Sequence, residues 1–277
     1  MAVIKIYPYK MESTSGRMLA NSLEASRIRV EGSTYRHRVN HLIINWGNKR
    51  EASWSNPLSD SMTMNTPNAI AIASSKRRSF SHFIDNNVNT PSLTTSYVVA
   101  RSWFDDGITL LGRDLDNGSG GRGITIYNPN DDNEDSAFSS VGGHLYYTKY
   151  IKKRREFRIH LGYETLDRSG SPLTLLVQEK KRRSLSNRDQ EEYNPYIRNY
   201  TNEWIFAHND LQPVPASVVT QARQALDALG LHFGAVDVIY NEYRNASYVL
   251  EVNTACGMEG ETLTRYSDYF RRVANSI

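Results

Sequence analysis

The chain has 277 residues, 39% hydrophobic and 23% charged, which excludes a disordered polymer and leaves room for a sizeable core divided among lobes. A formal charge of +3 suits an anionic ligand without requiring a nucleic acid, and the single cysteine, Cys256, excludes an intramolecular disulfide or a thiolate zinc cluster. The opening residues carry no signal-peptide pattern and no stretch is long and apolar enough to span a bilayer, so the expected compartment is a reducing cytoplasm.

In chain order, the apolar pattern predicts a strand at Val3 to Tyr7 and a helix through Met18, Leu19, Leu23 and Ile28 after the polar stretch Ser13 to Gly16. His41 to Trp46 predicts a buried strand closed by Gly47. Thr66 and Pro67 form an N-cap with proline at the first helical position, opening a helical stretch that carries Lys76 and ends near Asn86 and Asn87. A further helix is expected from Thr95 to Phe104, stopping at Asp105-Asp-Gly107. Strands follow at Ile108 to Leu111 and Gly123 to Tyr127, joined by a polar glycine-rich run that reads as a hairpin lid. Strands at Leu145 to Tyr150, Phe157 to Leu161 and Leu173 to Val177 precede a helix from Val218 to Leu229 capped by Gly230. Two apolar strands, Ala235 to Tyr240 and Tyr248 to Thr254, and a helix over Thr262 to Val273 close the chain. Strands outnumber helices after residue 105 with hairpin-type spacing, so α+β is favoured over a doubly wound sheet.

The strongest chemical signal lies in those last two strands. Asp237 and Glu251 each stand in an apolar run, where an unpaired ionised carboxylate costs several kcal/mol to bury. Asn253 follows Glu251 by two residues, and period-two alternation turns both to one face, giving three oxygen ligands. Hard oxygens suit Mg²⁺, with Mn²⁺ as the alternative, and Mg²⁺ completes its octahedron with water and substrate phosphates. The competing explanation is a carboxylate at a fraying strand end, satisfied by water or an Arg.

Gly118-Ser119-Gly120-Gly121 is the second signal, since glycines let backbone amides approach an anion and Ser119 can donate to phosphate. It matches neither a Walker nor a dinucleotide-binding motif. Arg113 and Lys76 are candidate phosphate cations, though each taken singly reads as a surface charge. Glu156 and Arg158 alternate with Phe157 and Ile159, so both charges share one face. Glu156 is a candidate for ribose hydroxyls, and the backbone at Tyr150 and Ile151 for the adenine edge. The basic runs Lys152 to Arg155 and Lys180 to Arg183 read as solvated faces or a nucleic-acid patch, without the interleaved aromatics of a single-strand platform.

Together, Tyr7-Pro-Tyr-Lys10, Ile44-Asn-Trp-Gly47, Thr148-Lys-Tyr-Ile151, Glu156-Phe-Arg158, Ile197-Arg-Asn199, Gly234-Ala-Val-Asp-Val-Ile239 and Val249-Leu-Glu-Val-Asn-Thr254 resemble, in this order, the ATP-grasp superfamily. The likeness is closest to its short bacteriophage-type proteins, related to glutamate-adding and D-alanine ligases. It implies two α+β lobes holding ATP, with a short pre-ATP-grasp lobe at 1–75, a central lid lobe at 76–150 and a C-terminal lobe at 151–277. It implies that Asp237, Glu251 and Asn253 hold Mg²⁺, and that Lys76, Arg113, Ser119, Gly120, Gly121, Lys149, Tyr150, Ile151 and Glu156 bind ATP. Arg198 and Lys180 would be catalytic, Lys180 being chosen over the adjacent Lys181, and Arg158 and His160 would contact a substrate carboxylate. Position 113 departs from the commoner lysine, and Cys256 stands where relatives carry proline.

The implied activity is an ATP-dependent carboxylate–amine ligase that passes through an acyl phosphate, with an amino acid, peptide or protein as substrate. A degenerate nucleotide-binding regulatory or structural module, and a basic nucleic-acid binder, are the alternatives from other classes.

Overall fold

The computed structural model describes residues 2–117, 121–131, 138, 143–183, 196, 198 and 203–277. The first layer comprises β1 (Val3–Pro8), α1 (Thr14–Ser22), β2 (Ser26–Arg27), β3 (His41–Trp46), α2 (Pro57–Ser61) and β4 (Thr63–Met64). Its four strands are parallel, in the order β2-β1-β3-β4. Alternation sends Ile6, Leu42, Ile44 and Trp46 against Phe233, Tyr266 and Phe270, while Tyr7 and Ile43 pack with Ile28 and Trp54 on the other face. With both faces covered, all six residues of β3 are buried, as the continuous apolar run implied. The first helix is shorter than its pattern suggested: Glu24 turns to φ 52 and releases the chain, and Ile28 joins the sheet by donating to Ile6 O at 2.8 Å.

The helical stretch after Thr66 divides into α3 (Pro67–Ala73) and α4 (Lys76–Asp85). The division falls at Ser74 and Ser75, where Ser75 Oγ accepts from the Arg78 amide and caps α4. The middle layer follows with β5 (Leu93–Thr94), α5 (Tyr97–Asp105), β6 (Leu110–Arg113), β7 (Ile124–Tyr127) and β8 (Tyr146–Lys149), an antiparallel sheet ordered β5-β8-β6-β7. Gly107, at φ +77, and Ile108 close the end of α5 by donating to Phe104 O and Trp103 O, so β6 starts two residues later than expected.

The largest layer holds β9 (Arg155–Gly162), β10 (Leu173–Arg182), β11 (Trp204–Ala207), α6 (Ala216–Ala228), β12 (Phe233–Asn241), β13 (Ala246–Asn253) and α7 (Gly260–Ser276). The sheet order is β11-β10-β9-β12-β13, antiparallel throughout. Phe157, Ile159, Leu161, Val236, Val238 and Val252 form one apolar face beneath α6. The alternate residues form a polar face, one end of which is covered by α7. The sequence pattern did not reveal β11, and β10 runs beyond Val177, so the basic residues Lys180 to Arg182 belong to a strand. Among the described residues no helix is long and apolar enough to cross a membrane.

Candidate functional site

The polar face of the largest sheet is built in rows. Asp237 is the direct cross-strand partner of Glu251 and of Arg158, and Arg158 in turn faces Gln178. The next row has Ile239 opposite Glu156, with Lys180 reaching Glu156 Oε1 at 2.5 Å. The row on the other side holds Asn253, Ala235 and His160. A register shift beside Asp237 moves the pairing on β13 from Glu251 to Val249, leaving Leu250 as an extra residue. Such a bulge re-aims side chains, and both Leu250 and Glu251 line the cleft.

The cleft lies between this face and the middle sheet, with an empty volume of about 1030 Å³ including its mouth. Among the described residues its lining carries six cations, Lys76, Arg113, Lys149, Lys153, Lys180 and Arg198, against three carboxylates, Glu156, Asp237 and Glu251. The excess of three positive charges makes the cleft attractive to a polyanion.

Each carboxylate has a cation beside it. Arg158 donates to Asp237 through two bonds of 2.7 and 2.8 Å, and Lys76 pairs with Glu251. Burial pushes the Asp237 carboxyl up against the pull of Arg158, whereas for Glu251 Lys76 overcomes burial and holds the group down at about 2. Glu156 is similarly held below the usual range, because Lys153 and Lys180 outweigh its burial. Burial pushes the Lys153 ammonium and the Arg113 guanidinium down. Arg113 Nε, Tyr146 Oη and Thr148 Oγ1 are buried along the cleft wall without a hydrogen-bond partner among the described residues, an arrangement that a ligand offering acceptors would complete.

The metal-ligand candidates converge. Asp237 and Glu251 stand opposite each other, and Asn253 Nδ2 donates to Glu251 Oε1 at 3.2 Å. The Glu251 side chain keeps 33% of its surface exposed toward the cleft. Two carboxylates and an amide on one face offer the hard oxygen donors that Mg²⁺ prefers. No group of three or more His, Cys, Asp or Glu able to hold a metal occurs among the described residues, so a zinc-type donor set is not present there.

Arg113, Gly121, Lys149, Tyr150 and Ile151 line the same cleft as Lys76 and Glu156, while Ser119 and Gly120 lie outside the described residues. Arg198 lines it too, its guanidinium 4.4 Å from the Trp204 ring and donating to Lys153 O and Arg154 O. Lys180 faces the cleft; Lys181 points away, its ammonium donating to Asp210 O.

Two assignments require correction. Arg158 does not line the cleft: its guanidinium is spent on Asp237 and lies 4.1 Å from the Phe206 ring, so it serves a carboxylate of the protein rather than one of a substrate. His160 is 1% exposed, between Gln178 and Tyr266 beneath α7, and burial lowers it to about 4. It is neutral at neutral pH and does not reach the cleft. Alternation placed His160 on the right face, but α7 covers that level of the sheet.

The basic runs divide between solvent and site, with Lys152, Arg154 and Arg183 exposed. Arg155 grips Glu179 at 2.7 and 3.0 Å, Arg154 pairs with Glu242 at 3.2 Å, and Lys153 and Lys180 turn into the cleft. Lys153 had no distinguishing signal within four consecutive cations. Its contacts with Glu156 at 3.6 Å, Tyr196 O at 3.5 Å and the Tyr150 ring at 5.9 Å separate it from its neighbours.

No family model and no curated protein matches the sequence. Solved structures match along nearly the whole chain. D-alanyl-alanine synthetase A from Vibrio cholerae superposes over 99% of this chain and 98% of its own, at TM-score 0.66 and 14% identity. D-alanine–D-alanine ligase from Bacillus anthracis covers 99% and 97%, at TM-score 0.61 and 13% identity. A peptide-associated ATP-grasp ligase from Chryseobacterium gregarium, bound to ADP and to leader and core peptides, covers 100% and 98% at TM-score 0.61 and 13% identity. The chain therefore has the ATP-grasp fold. At these identities the likeness is one of architecture, and the chemistry must be argued from the cleft.

Proposed function

We propose that the protein is an ATP- and Mg²⁺-dependent carboxylate–amine ligase that forms an amide bond through an acyl phosphate. The observation that carries this reading is the convergence, in one cleft, of six cations with the facing carboxylates Asp237 and Glu251. A carboxylate is a poor acyl donor. Its attack on the γ-phosphate of ATP forms a carboxyl–phosphate bond and releases ADP; attack by an amine then expels phosphate and gives the amide.

Arg113, Lys76 and Lys153 bind the triphosphate, and the backbone at Tyr150 and Ile151 takes the adenine edge. Lys180 and Arg198 oppose the charge developing on the transferring phosphoryl oxygens. Lys180 Nζ also donates to Arg198 O at 3.1 Å, which fixes the two relative to each other. Asp237, Glu251 and Asn253 would hold Mg²⁺, which when bound would supply positive charge against the phosphate oxygens. The glycine-rich run between β6 and β7, whose Gly121 lines the cleft, would exclude water from the acyl phosphate. The substrates are a carboxylic acid and an amine, the latter belonging to an amino acid, a peptide or a protein.

Hydroxylamine added with ATP, Mg²⁺ and candidate carboxylates traps an acyl phosphate as hydroxamate. Wild-type protein is expected to yield hydroxamate with its own substrate, and Glu251→Ala to yield none. Equal yields from both would refute the assignment. Nucleotide binding without hydroxamate across amino acids, peptides and acidic proteins would instead favour the non-catalytic nucleotide-binding module.

A further inference from the structure

The glycine-rich hairpin carries two carboxylates before its glycines, Asp114 and Asp116, and they fasten it in two directions. Asp114 Oδ1 meets His144 Nδ1 at 2.5 Å, and His144 Nε2 meets Tyr127 Oη at 2.7 Å, so the root of the hairpin is tied into its own sheet. Asp116 points the other way, to the N-terminus of α4. Its Oδ2 accepts from Ser75 Oγ at 2.5 Å, its Oδ1 from the Arg77 amide at 3.1 Å, and its backbone oxygen from the Lys76 amide at 3.3 Å. Arg77 Nε lies 3.7 Å from the same carboxylate. A negative side chain here also meets the positive end of the helix dipole.

Lys76 is the first residue of α4, and its ammonium enters the cleft to pair with Glu251. The hairpin that bears Arg113 and Gly121 is thus hydrogen-bonded to the backbone of the residue that supplies another phosphate cation. We propose that Asp116 is a positioning residue that latches the hairpin to α4 and sets Lys76 and the hairpin as one unit against the polyphosphate. The inference rests on the nucleotide-binding reading above. Through the latch, a phosphate group that holds the hairpin also fixes Lys76, so the two contacts reinforce each other.

Calorimetric titration of the full chain with ATP and with AMP tests this. Asp116→Ala is expected to weaken ATP about tenfold, within the range of roughly 5- to 150-fold typical of coupled sites, and to leave AMP, which lacks the outer phosphates, unchanged. Asp116→Asn keeps one acceptor and is expected to recover part of the loss. In a Lys76→Met background the effect of Asp116→Ala on ATP should disappear. Equal losses for ATP and AMP, or an undiminished loss without Lys76, would overturn the latch. Hydrogen exchange of the Arg77 amide in nucleotide-free protein gives a readout independent of ATP: faster exchange in Asp116→Ala is expected, and unchanged exchange overturns the latch. Failure of wild-type protein to bind ATP would refute the functional reading instead.

Discussion

Asp237 and Glu251 are cross-strand partners that ionise in opposite directions, because burial dominates one and Lys76 the other. What keeps Asp237 tolerable inside the protein is Arg158, held between that carboxylate and the Phe206 ring. Removing it leaves a buried carboxylate unpaired, so Arg158→Met is expected to destabilise the fold by about 3–5 kcal/mol in urea unfolding, with partial relief at acid pH where Asp237 can take a proton. A change near zero would show that Asp237 is neutral without its partner. The buried imidazole of His160 gives a second residue-scale expectation. Its folded value of about 4 lies below the ordinary 6.5, so its contribution is complete above pH 6.5 and is lost as the pH falls toward 4. That loss amounts to roughly 3 kcal/mol. Glu251, at about 2 against the ordinary 4.5, adds a further loss only below pH 4.5. Urea midpoints measured from pH 7 to 4 should fall, and His160→Gln should flatten the upper part of that decline.

Between residues and the whole molecule, the decisive devices are breaks and close approaches. Ser75 ends one helix pattern and caps the next, which is what puts Lys76 at a helix start rather than mid-helix. Gly112 lies in β6 between Leu111 and Arg113, where a Cβ would stand 2.3 Å from His144 Cδ2. His144 cannot retreat cheaply, since it is bonded to both Asp114 and Tyr127. Gly112→Ala is therefore expected to cost about 1–3 kcal/mol by overpacking. It should also weaken ATP binding by displacing Arg113. Thermal unfolding and nucleotide titration of the same variant check both; an unchanged midpoint would mean that the ring moves aside freely. Strand alternation in β9 was legible from Glu156-Phe157-Arg158-Ile159, and it gave the correct division into polar and apolar faces. The depth along the polar face was not legible, because α7 joins the sheet from about a hundred residues away in the chain and covers His160 but not Glu156.

For the whole molecule, the charge excess of the cleft is the property that acts at a distance. The chain's net charge is only +3, yet among the described residues the cleft lining alone carries six cations against three carboxylates. Affinity for ATP is expected to fall as ionic strength rises, and saturating Mg²⁺-ATP is expected to raise the unfolding temperature. At one hundred times the dissociation constant the stabilisation amounts to about 2.7 kcal/mol. Chelating Mg²⁺ should remove most of it, and a single-stranded oligonucleotide should not reproduce it, because Arg155 is tied to Glu179 and Lys153 and Lys180 turn into the cleft, which breaks both runs as continuous basic faces. Stabilisation by the oligonucleotide and not by Mg²⁺-ATP would reverse the assignment of the cleft.

Local pattern was enough to establish the order of most strands and helices, the α+β class, the facing pair Asp237 and Glu251 with Asn253 beside them, and the pairing of β6 with β7. These follow from alternation and caps, which act within a few residues and leave their mark in the sequence. Tertiary structure alone decided which of Lys152 to Arg155 and Lys180 to Arg183 enter the cleft, that Arg158 serves Asp237, that His160 is enclosed, and that Asp116 reaches α4. Those outcomes depend on which distant element covers which level of a sheet face. A charged side chain looks the same in sequence whether its partner is water, a ligand or a carboxylate brought in from another layer.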